Sequence, residues 1–268
     1  MMQRPIVFLY SKMCIVLIAK NTIKDFPLII LANRDEYFER ETRSLGLWKK
    51  NKEILAGMDL RAGGTWLGAT NSGRVAALTN LPSIEKVPGK TKSRGLLIKD
   101  FFTKNITAYQ YTTLLKESKN QFLGFNLVVG EKDSLIHYSN ANGQISILED
   151  GIHIMTNSIF NDNWPKSKNL RESVKKILIE KPCNLIDSFF SVLGPSLNVH
   201  PSNNSYTDSV FVTGESYGTR SSSVLMFHKD GGSSFNERTY NKRQVVMGEK
   251  KFYLKDGKYA ELCGTEKR

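Results

Sequence analysis

Cysteine is scarce in this chain of 268 residues. There are three, Cys14, Cys183 and Cys263, and no CxxC pair. An odd, widely spaced set argues against a disulfide framework or a cysteine-based zinc site, and a reducing, cytoplasmic setting is expected. The four histidines, His137, His153, His200 and His228, are scattered without metal-ligand spacing, so no metal is expected. Long apolar runs are also missing. None approaches the roughly 20 residues of a membrane-spanning helix. The nearest, residues 4–19, is interrupted by Ser11 and Lys12. No small-residue cleavage site follows it, which argues against a signal peptide. No integral membrane segment is expected. Linkers rich in proline or serine, internal repeats and low-complexity segments are absent too. A single domain over 13–268 follows, with 1–12 read as a non-native or disordered extension.

Hydrophobic residues make up 40% of the chain, enough for a substantial core, and the net charge is +12. A basic surface favours acidic partners, from nucleic acid to small anions. Lysine thickens only from Lys242 to Arg268, and no RNP-like aromatics, helix-turn-helix or zinc finger accompany it. A small-molecule ligand or substrate is therefore expected, and no nucleic acid.

Short runs of Val, Ile, Leu, Phe and Thr bounded by turn residues read as strands. They are Cys14–Ala19, Leu28–Ala32, Thr65–Thr70, Arg74–Thr79, Phe125–Val129, Ser134–Tyr138, Gln144–Leu148, Ile152–Thr156, Ser209–Thr213, Val224–His228 and Phe235–Tyr240. Asn71-Ser72-Gly73 and Asn140-Ala141-Asn142-Gly143 read as hairpin loops, because Asn-Gly supplies the positive φ that tight turns require. Helices are expected over Arg94–Lys104 with Ser93 as cap, over Thr107–Ser118, from an Asn163 cap through Trp164-Pro165 to about Glu180, and over Leu185–Leu193. Strands, two helices, strands, two helices, strands is an α+β order.

The chemistry concentrates at Met13-Cys14-Ile15. If Met13 begins the chain and is removed, Cys14 carries a thiol and a free α-amine on one carbon. That amine titrates at roughly 7.7–8.0, close enough to neutrality to take the thiol proton. With residues before Cys14 the nitrogen is an amide and this base is lost. Asn33-Arg34-Asp35-Glu36 ends the second apolar run. If the first two strands pair antiparallel, Arg34 and Asp35 meet Cys14, where an arginine favours thiolate and an aspartate holds the amine. Ala77-Leu78-Thr79-Asn80 and Ile154-Met155-Thr156-Asn157 both end an apolar strand in Thr-Asn. Such an asparagine begins a turn, and its amide can also donate to an oxyanion. Arg220, in Gly218-Thr219-Arg220-Ser221-Ser222, reads as a salt-bridge residue or an anion binder. Gly63-Gly64-Thr65-Trp66-Leu67-Gly68 lacks the Lys-Ser/Thr ending of a phosphate loop and reads as a glycine turn into a strand.

These motifs, together with Ser93-Arg94-Gly95, Gly124 to Gly130 and Trp164-Pro165-Lys166, resemble the NRDE family, which includes the transport and Golgi organisation protein 2 homologues. The resemblance runs from Met13 to about Tyr240. The family in turn resembles the N-terminal-nucleophile hydrolases of the penicillin V acylase and bile salt hydrolase group. That implies a four-layer αββα sandwich, with Cys14, Arg34, Asp35, Asn80, Asn157 and Arg220 at the matching catalytic positions. The acylases place the aspartate three residues beyond the arginine, whereas Asp35 is adjacent to Arg34. Two functions are implied. One is binding and trafficking of haem, as cargo, or of another hydrophobic anion such as acyl-coenzyme A, with Cys14, a histidine or a tyrosine as iron ligand. The other is cofactor-free hydrolysis of a linear, non-peptide amide with Cys14 as nucleophile. No CxxCH or Cys-Pro haem motif is present.

Overall fold

The computed structural model describes residues 14–82, 92–118, 121–195, 209–255 and 257–262. The expected start at Met13, the extension before it, His200 and Cys263 lie outside them. The chain begins with six strands: β1 (Ile15–Ile23), β2 (Phe26–Tyr37), β3 (Thr42–Trp48), β4 (Asn51–Asp59), β5 (Leu67–Thr70) and β6 (Arg74–Asn80). Helices α1 (Leu96–Thr103) and α2 (Ala108–Glu117) follow, then β7 (Phe125–Glu131), β8 (Ser134–Ser139), β9 (Gln144–Ile147) and β10 (Gly151–Met155). Helices α3 (Pro165–Glu180) and α4 (Leu185–Leu193) precede β11 (Tyr217–Phe227), β12 (Ser233–Tyr240), β13 (Val246–Lys255) and β14 (Lys258–Leu262).

Two seven-stranded antiparallel sheets result. One has the order β10-β1-β2-β11-β12-β13-β14, the other β3-β4-β5-β6-β7-β8-β9. Their facing sides share a core in which Val16, Ile18, Leu28 and Ile30 of the first sheet meet Leu55, Leu67, Ala77 and Val128 of the second. The opposite parity on β1 and β2, Ile15, Leu17, Ile29 and Leu31, packs under α3 and α4. The second sheet buries its other side, including Ala76, Leu127 and Val129, under α1 and α2. The layers are therefore αββα, as the resemblance implied. Covering both faces of a strand explains why β1 and β2 read as continuous apolar runs rather than alternating ones. Each such Leu or Ile contributes about 1.5–3 kcal/mol by leaving water.

The two anticipated hairpin loops connect β5 to β6 and β8 to β9, with Gly73 at φ 86 and Gly143 at φ 68. Helix α2 begins at a capping box in which Thr107 and Gln110 satisfy each other's backbone N–H. Helix α1 differs from expectation. It starts at Leu96 behind Gly95, and no side chain caps it. Ser93 contributes its carbonyl to the Leu96 N–H instead. Helix α3 starts at Pro165 behind Trp164 rather than at an Asn163 cap. Asp162 takes that work, accepting from Trp164 N at 3.3 Å and Ser167 Oγ at 2.5 Å. The expected strand over Ser209–Thr213 is irregular. Val212 spends its N–H on Thr219 Oγ1 and its carbonyl on Thr219 N, so it joins no ladder. Strands β3, β4, β13 and β14 were not anticipated. Their composition is mixed, and each pairs with a strand next to it in sequence, so the hydrogen-bonded ladder rather than an apolar run defines them. Among the described residues no helix is long and apolar enough to cross a membrane.

Two of the sequence motifs prove to be one contact. Gly64 and Gly95 touch backbone to backbone, and a Cβ on Gly64 would stand 2.4 Å from the Gly95 carbonyl carbon. Thr65 N donates to Gly95 O at 3.1 Å. Only glycine allows that approach. It sets the neighbouring Arg94 against Gly124 O at 2.8 Å, within electrostatic range of Cys14 and Glu36.

Candidate functional site

Strands β1 and β2 pair antiparallel with Ile15 opposite Asn33, and β1 pairs β10 with Val16 opposite Met155. Extending the β1–β2 register by one step and the β1–β10 register by two puts Cys14 between Arg34 and Asn157. Arg34 lies opposite Ser221 on β11, and Ser221 opposite Thr239 on β12. A polar row, Asn157–Cys14–Arg34–Ser221–Thr239, thus crosses the inward face of the first sheet at the end of its apolar core. Neighbouring members are about 5 Å apart.

The Cys14 thiol donates to the Asp35 carbonyl at 3.6 Å, so the expected meeting of Cys14 with Arg34 and Asp35 occurs. Its electrostatics differ from expectation. Burial, reinforced by the Asp35 charge, pushes the thiol up from 9.0 to about 12, and this outweighs Arg34. Asp35 itself is buried, its carboxyl raised by desolvation to about 7. Its Oδ1 accepts from Thr219 Oγ1 at 2.6 Å, while its Oδ2 has no partner.

Arg34 is buried, with its guanidinium 4.4 Å from the centre of the Trp66 ring. It lies 4.0 Å from Glu36 and 3.9 Å from Asp59, both of which also face Arg40. Its Nη1 is buried and unpartnered. Asn33, the first residue of the same motif, is structural. It donates to the carbonyls of Leu193 and Val210 at 2.8 and 2.9 Å and accepts from Ser222 Oγ at 2.6 Å.

The two Thr-Asn strand ends converge on each other. Thr79 Oγ1 donates to Thr156 O at 2.6 Å, and Asn157 Nδ2 to Asn80 O at 2.5 Å. Asn157 Oδ1 is buried without a partner. Neither amide hydrogen-bonds the Cys14 thiol among the described residues. Thr156 Oγ1 donates to Asp162, which ties the strand end to the start of α3. That start carries Lys166, fully buried, its ammonium disfavoured by desolvation and supported by the Asp35, Cys14 and Asp162 charges. Lys166 was recognised as part of a motif but not as a site residue. The missed signal is positional: Lys166 shares the buried stripe of Leu170, Val174 and Ile177 on α3.

Arg220 stands apart from Cys14. It occupies a bulge in β11, where its Nη1 donates to the carbonyls of Tyr37, Phe38 and Arg40 at 2.8, 3.0 and 3.1 Å. It therefore latches the turn from β2 to β3 and makes no salt bridge among the described residues. It also lines a cleft of about 490 Å³ between β3 and the β11–β12 pair, with Phe38, Ser221, Glu237, Tyr240, Lys242 and Met247 among the walls. Glu237 is buried and accepts from Leu45 N at 2.7 Å. Desolvation raises its carboxyl to about 7. Ser221 Oγ is buried and makes no close hydrogen bond, although it lies near enough to Glu237 to help hold that carboxyl down. Nothing local in the sequence marks Ser221 or Glu237, since only the sheet register brings them to Arg34.

No group of three or more His, Cys, Asp or Glu side chains able to hold a metal occurs among the described residues. His137 is buried, stacked on Phe160 at 4.0 Å and bonded to Asn126 Oδ1 at 3.2 Å. Burial pushes it down to about 4. His153 spends its Nε2 on Glu149 O, and His228 packs edge-on against Phe26 and Tyr253. Cys14 and Cys183 are both free thiols.

Among solved structures, the chain is similar to an orthologue of N-acylethanolamine-hydrolyzing acid amidase from Caenorhabditis elegans. The TM-score is 0.46 at 14% identity, over 79% of this chain and 92% of that one. It is also similar to a mutant of the conjugated bile acid hydrolase from Clostridium perfringens, with a TM-score of 0.44 at 13% identity, over 94% and 97% of the two chains. In sequence it is 28% identical to the human Transport and Golgi organization protein 2 homolog over 263 residues, covering 88% of this chain and 94% of the relative. The bovine homolog is 29% identical over 252 residues, covering 83% and 88%. The sequence model of Transport and Golgi organisation 2 matches residues 13–242, which include Cys14, the Asn33–Glu36 motif, both Thr-Asn strand ends and Arg220. The chain belongs to the Transport and Golgi organisation 2 family.

Proposed function

We propose that this protein binds and carries a hydrophobic anionic metabolite, of the haem or acyl-coenzyme A kind, in the cleft between its sheets. The observation that carries this reading is the cleft's lining. Cations Arg220 and Lys242 stand beside the apolar surfaces of Phe38, Tyr240 and Met247. Arg220, held by three carbonyls, offers a fixed charge; Lys242 is free to follow a ligand's acidic group. Among lining residues, Tyr240 and Met247 bear atoms able to ligate iron, and none of the described histidines lines the cleft. Titration of the purified protein with haem, and separately with a long-chain acyl-coenzyme A, tests the reading. A saturable Soret shift lost in Tyr240→Phe or Met247→Leu, or acyl-coenzyme A binding weakened in Lys242→Glu, supports it. Absence of saturable binding of both ligands overturns it.

A second reading, a cysteine hydrolase of linear amides, is favoured by a specific observation. Two buried acceptors around Cys14, Asp35 Oδ2 and Asn157 Oδ1, have no donor. A free α-amine on Cys14 brings the N–H groups they lack. It would take the thiol proton as sulfur bonds the substrate carbonyl, pass that proton to the departing amine, and leave a thioester for water to hydrolyse. While residue 13 is attached this base is absent, and the thiol stays protonated near neutrality. Amidase assays on protein beginning at Cys14 test the reading. Cys14→Ala should abolish turnover, and Asn157→Ala, if its amide is an oxyanion donor, should cost about 10²–10³ in rate. A Cys14→Ala protein with undiminished amidase activity sinks it.

A further inference from the structure

Two buried donors lie side by side on the inward face of the first sheet: Arg34 Nη1 has no acceptor, and Ser221 Oγ makes no close hydrogen bond, only the Glu237 carboxyl lying within its wider reach. They are cross-strand partners in the β2–β11 ladder, and Arg34 and Ser221 are 5% and 4% exposed. Ser221 lines the cleft, and Arg34, its cross-strand partner, is one strand nearer Cys14. An unmet buried donor costs about 1–3 kcal/mol. Two of them on neighbouring strands, one cationic, constitute a place for an anion.

We propose that Arg34 and Ser221 anchor the monocarboxylate head group of an amphipathic ligand, whose apolar body lies along Phe38, Tyr240 and Met247 toward the cleft mouth. The proposal rests on the carrier reading and names the end of the ligand that enters first. Three observations select a carboxylate over other anions. The guanidinium presents a planar fork, which suits a planar, two-oxygen acceptor. Its charge is already partly countered by Glu36 at 4.0 Å and Asp59 at 3.9 Å, so it suits a monoanion better than a phosphate dianion. The Glu237 carboxyl lies in the same wall and repels a second negative charge whenever it is ionised. The mouth supports the orientation, because Met247 of the lining is exposed and continues in sequence from the exposed Val245 and Val246. A head group seated at Arg34 would lie about one strand spacing, roughly 5 Å, from the Cys14 column. It would therefore cover the thiol.

Calorimetric titration of the full chain with decanoate, decanol and decyl phosphate tests this. Decanoate should bind saturably, and decanol and decyl phosphate each at least about tenfold more weakly. Ser221→Ala should weaken decanoate about tenfold while leaving decanol unchanged and the melting temperature of the free protein nearly unmoved, because the hydroxyl it deletes makes no close hydrogen bond. Arg34→Lys, which keeps charge and loses the fork, should weaken decanoate as well. Decanol binding as tightly as decanoate, or Ser221→Ala binding decanoate like the parent, overturns the proposal and leaves the two donors serving water only. If decanoate fails while haem or acyl-coenzyme A still binds in a manner sensitive to Lys242→Glu, the head-group assignment alone falls. If all these ligands fail, the carrier reading falls with it.

Discussion

Two polar regions on the first sheet carry opposite deficits. Around Cys14 the unmet groups are acceptors, Asp35 Oδ2 and Asn157 Oδ1. Around the inner cleft they are donors, Arg34 Nη1 and Ser221 Oγ. The first region lacks N–H groups and suits an amine. The second lacks oxygen and suits an acid. Arg34 lies next to both in the same row, so a ligand that satisfies the donor-rich side also closes off the thiol. The contrast teaches that one polar row can carry opposite chemical deficits at neighbouring positions. Attack on an amide and anchorage of an acid are different demands, and the residues each proposal calls on stand side by side in this row.

The largest effect should come from the fully matched residue beside Arg34 in the chain, on the helix-covered face of β2. Asn33 satisfies two carbonyls and one hydroxyl, so Asn33→Ala should destabilise by about 3–4 kcal/mol in urea unfolding. A loss under about 1 kcal/mol would show that matching is not what distinguishes Asn33 from its neighbours.

Next is Glu237, which decides how acid-friendly the cleft is. Its folded carboxyl titrates at about 7, above the ordinary 4.5. The folded state thus keeps a proton that the unfolded chain releases, and stability from this group is full below about 4.5 and lost as pH rises through about 7. Glu237→Gln stays neutral, so it should flatten that decline and gain on the order of 2–3 kcal/mol over the parent above neutrality. Parallel melting curves from acid to alkaline pH measure it. An unchanged slope would mean that Glu237 is ionised and that the cleft is less suited to an acid.

Smaller is the reactivity of Cys14. With its thiol near 12 rather than 9.0, the protein holds about a thousandfold less thiolate at neutral pH, partly offset by the greater nucleophilicity of a more basic sulfur. Alkylation by iodoacetamide, followed at Cys14 by peptide mass spectrometry, should be about 50-fold slower than for a free thiol. Freeing the Cys14 amine should recover most of that loss. Equal rates with and without residue 13 would remove the acceptor-rich region's claim to an amine. The smallest effect should be Ser221→Ala on stability, within about 0.5 kcal/mol of the parent. A larger loss would show that the cleft hydroxyl is already satisfied.

Much of the site was legible because its residues sit in short apolar-to-polar transitions. Leu28–Ala32 running into Asn33-Arg34-Asp35, and Ile154-Met155 running into Thr156-Asn157, mark strands that leave the core at one end. The turn from β1 to β2 is short enough to permit antiparallel pairing, and that pairing brings Cys14 to Asp35. Arg220 was less tractable. Whether it faces an anion or latches a turn depends on a one-residue bulge in β11, which shifts its side chain out of the alternation. Lys166 escaped as a site residue because a lysine in a first helical turn ordinarily faces water.

By itself the sequence determined the α+β order of elements, the apolar runs of β1 and β2 with the short turn between them, and the helix boundaries at α2 and α4. These rest on local periodicity, capping chemistry and short loops. Tertiary structure alone decided the rest. Burial beside Asp35 turned an expected thiolate into a protonated thiol. Register across β2, β11 and β12 brought Arg34, Ser221 and Glu237, nearly 200 positions apart in the chain, to one wall. Desolvation and register are properties of neighbours that lie far off in sequence, and no local pattern encodes them.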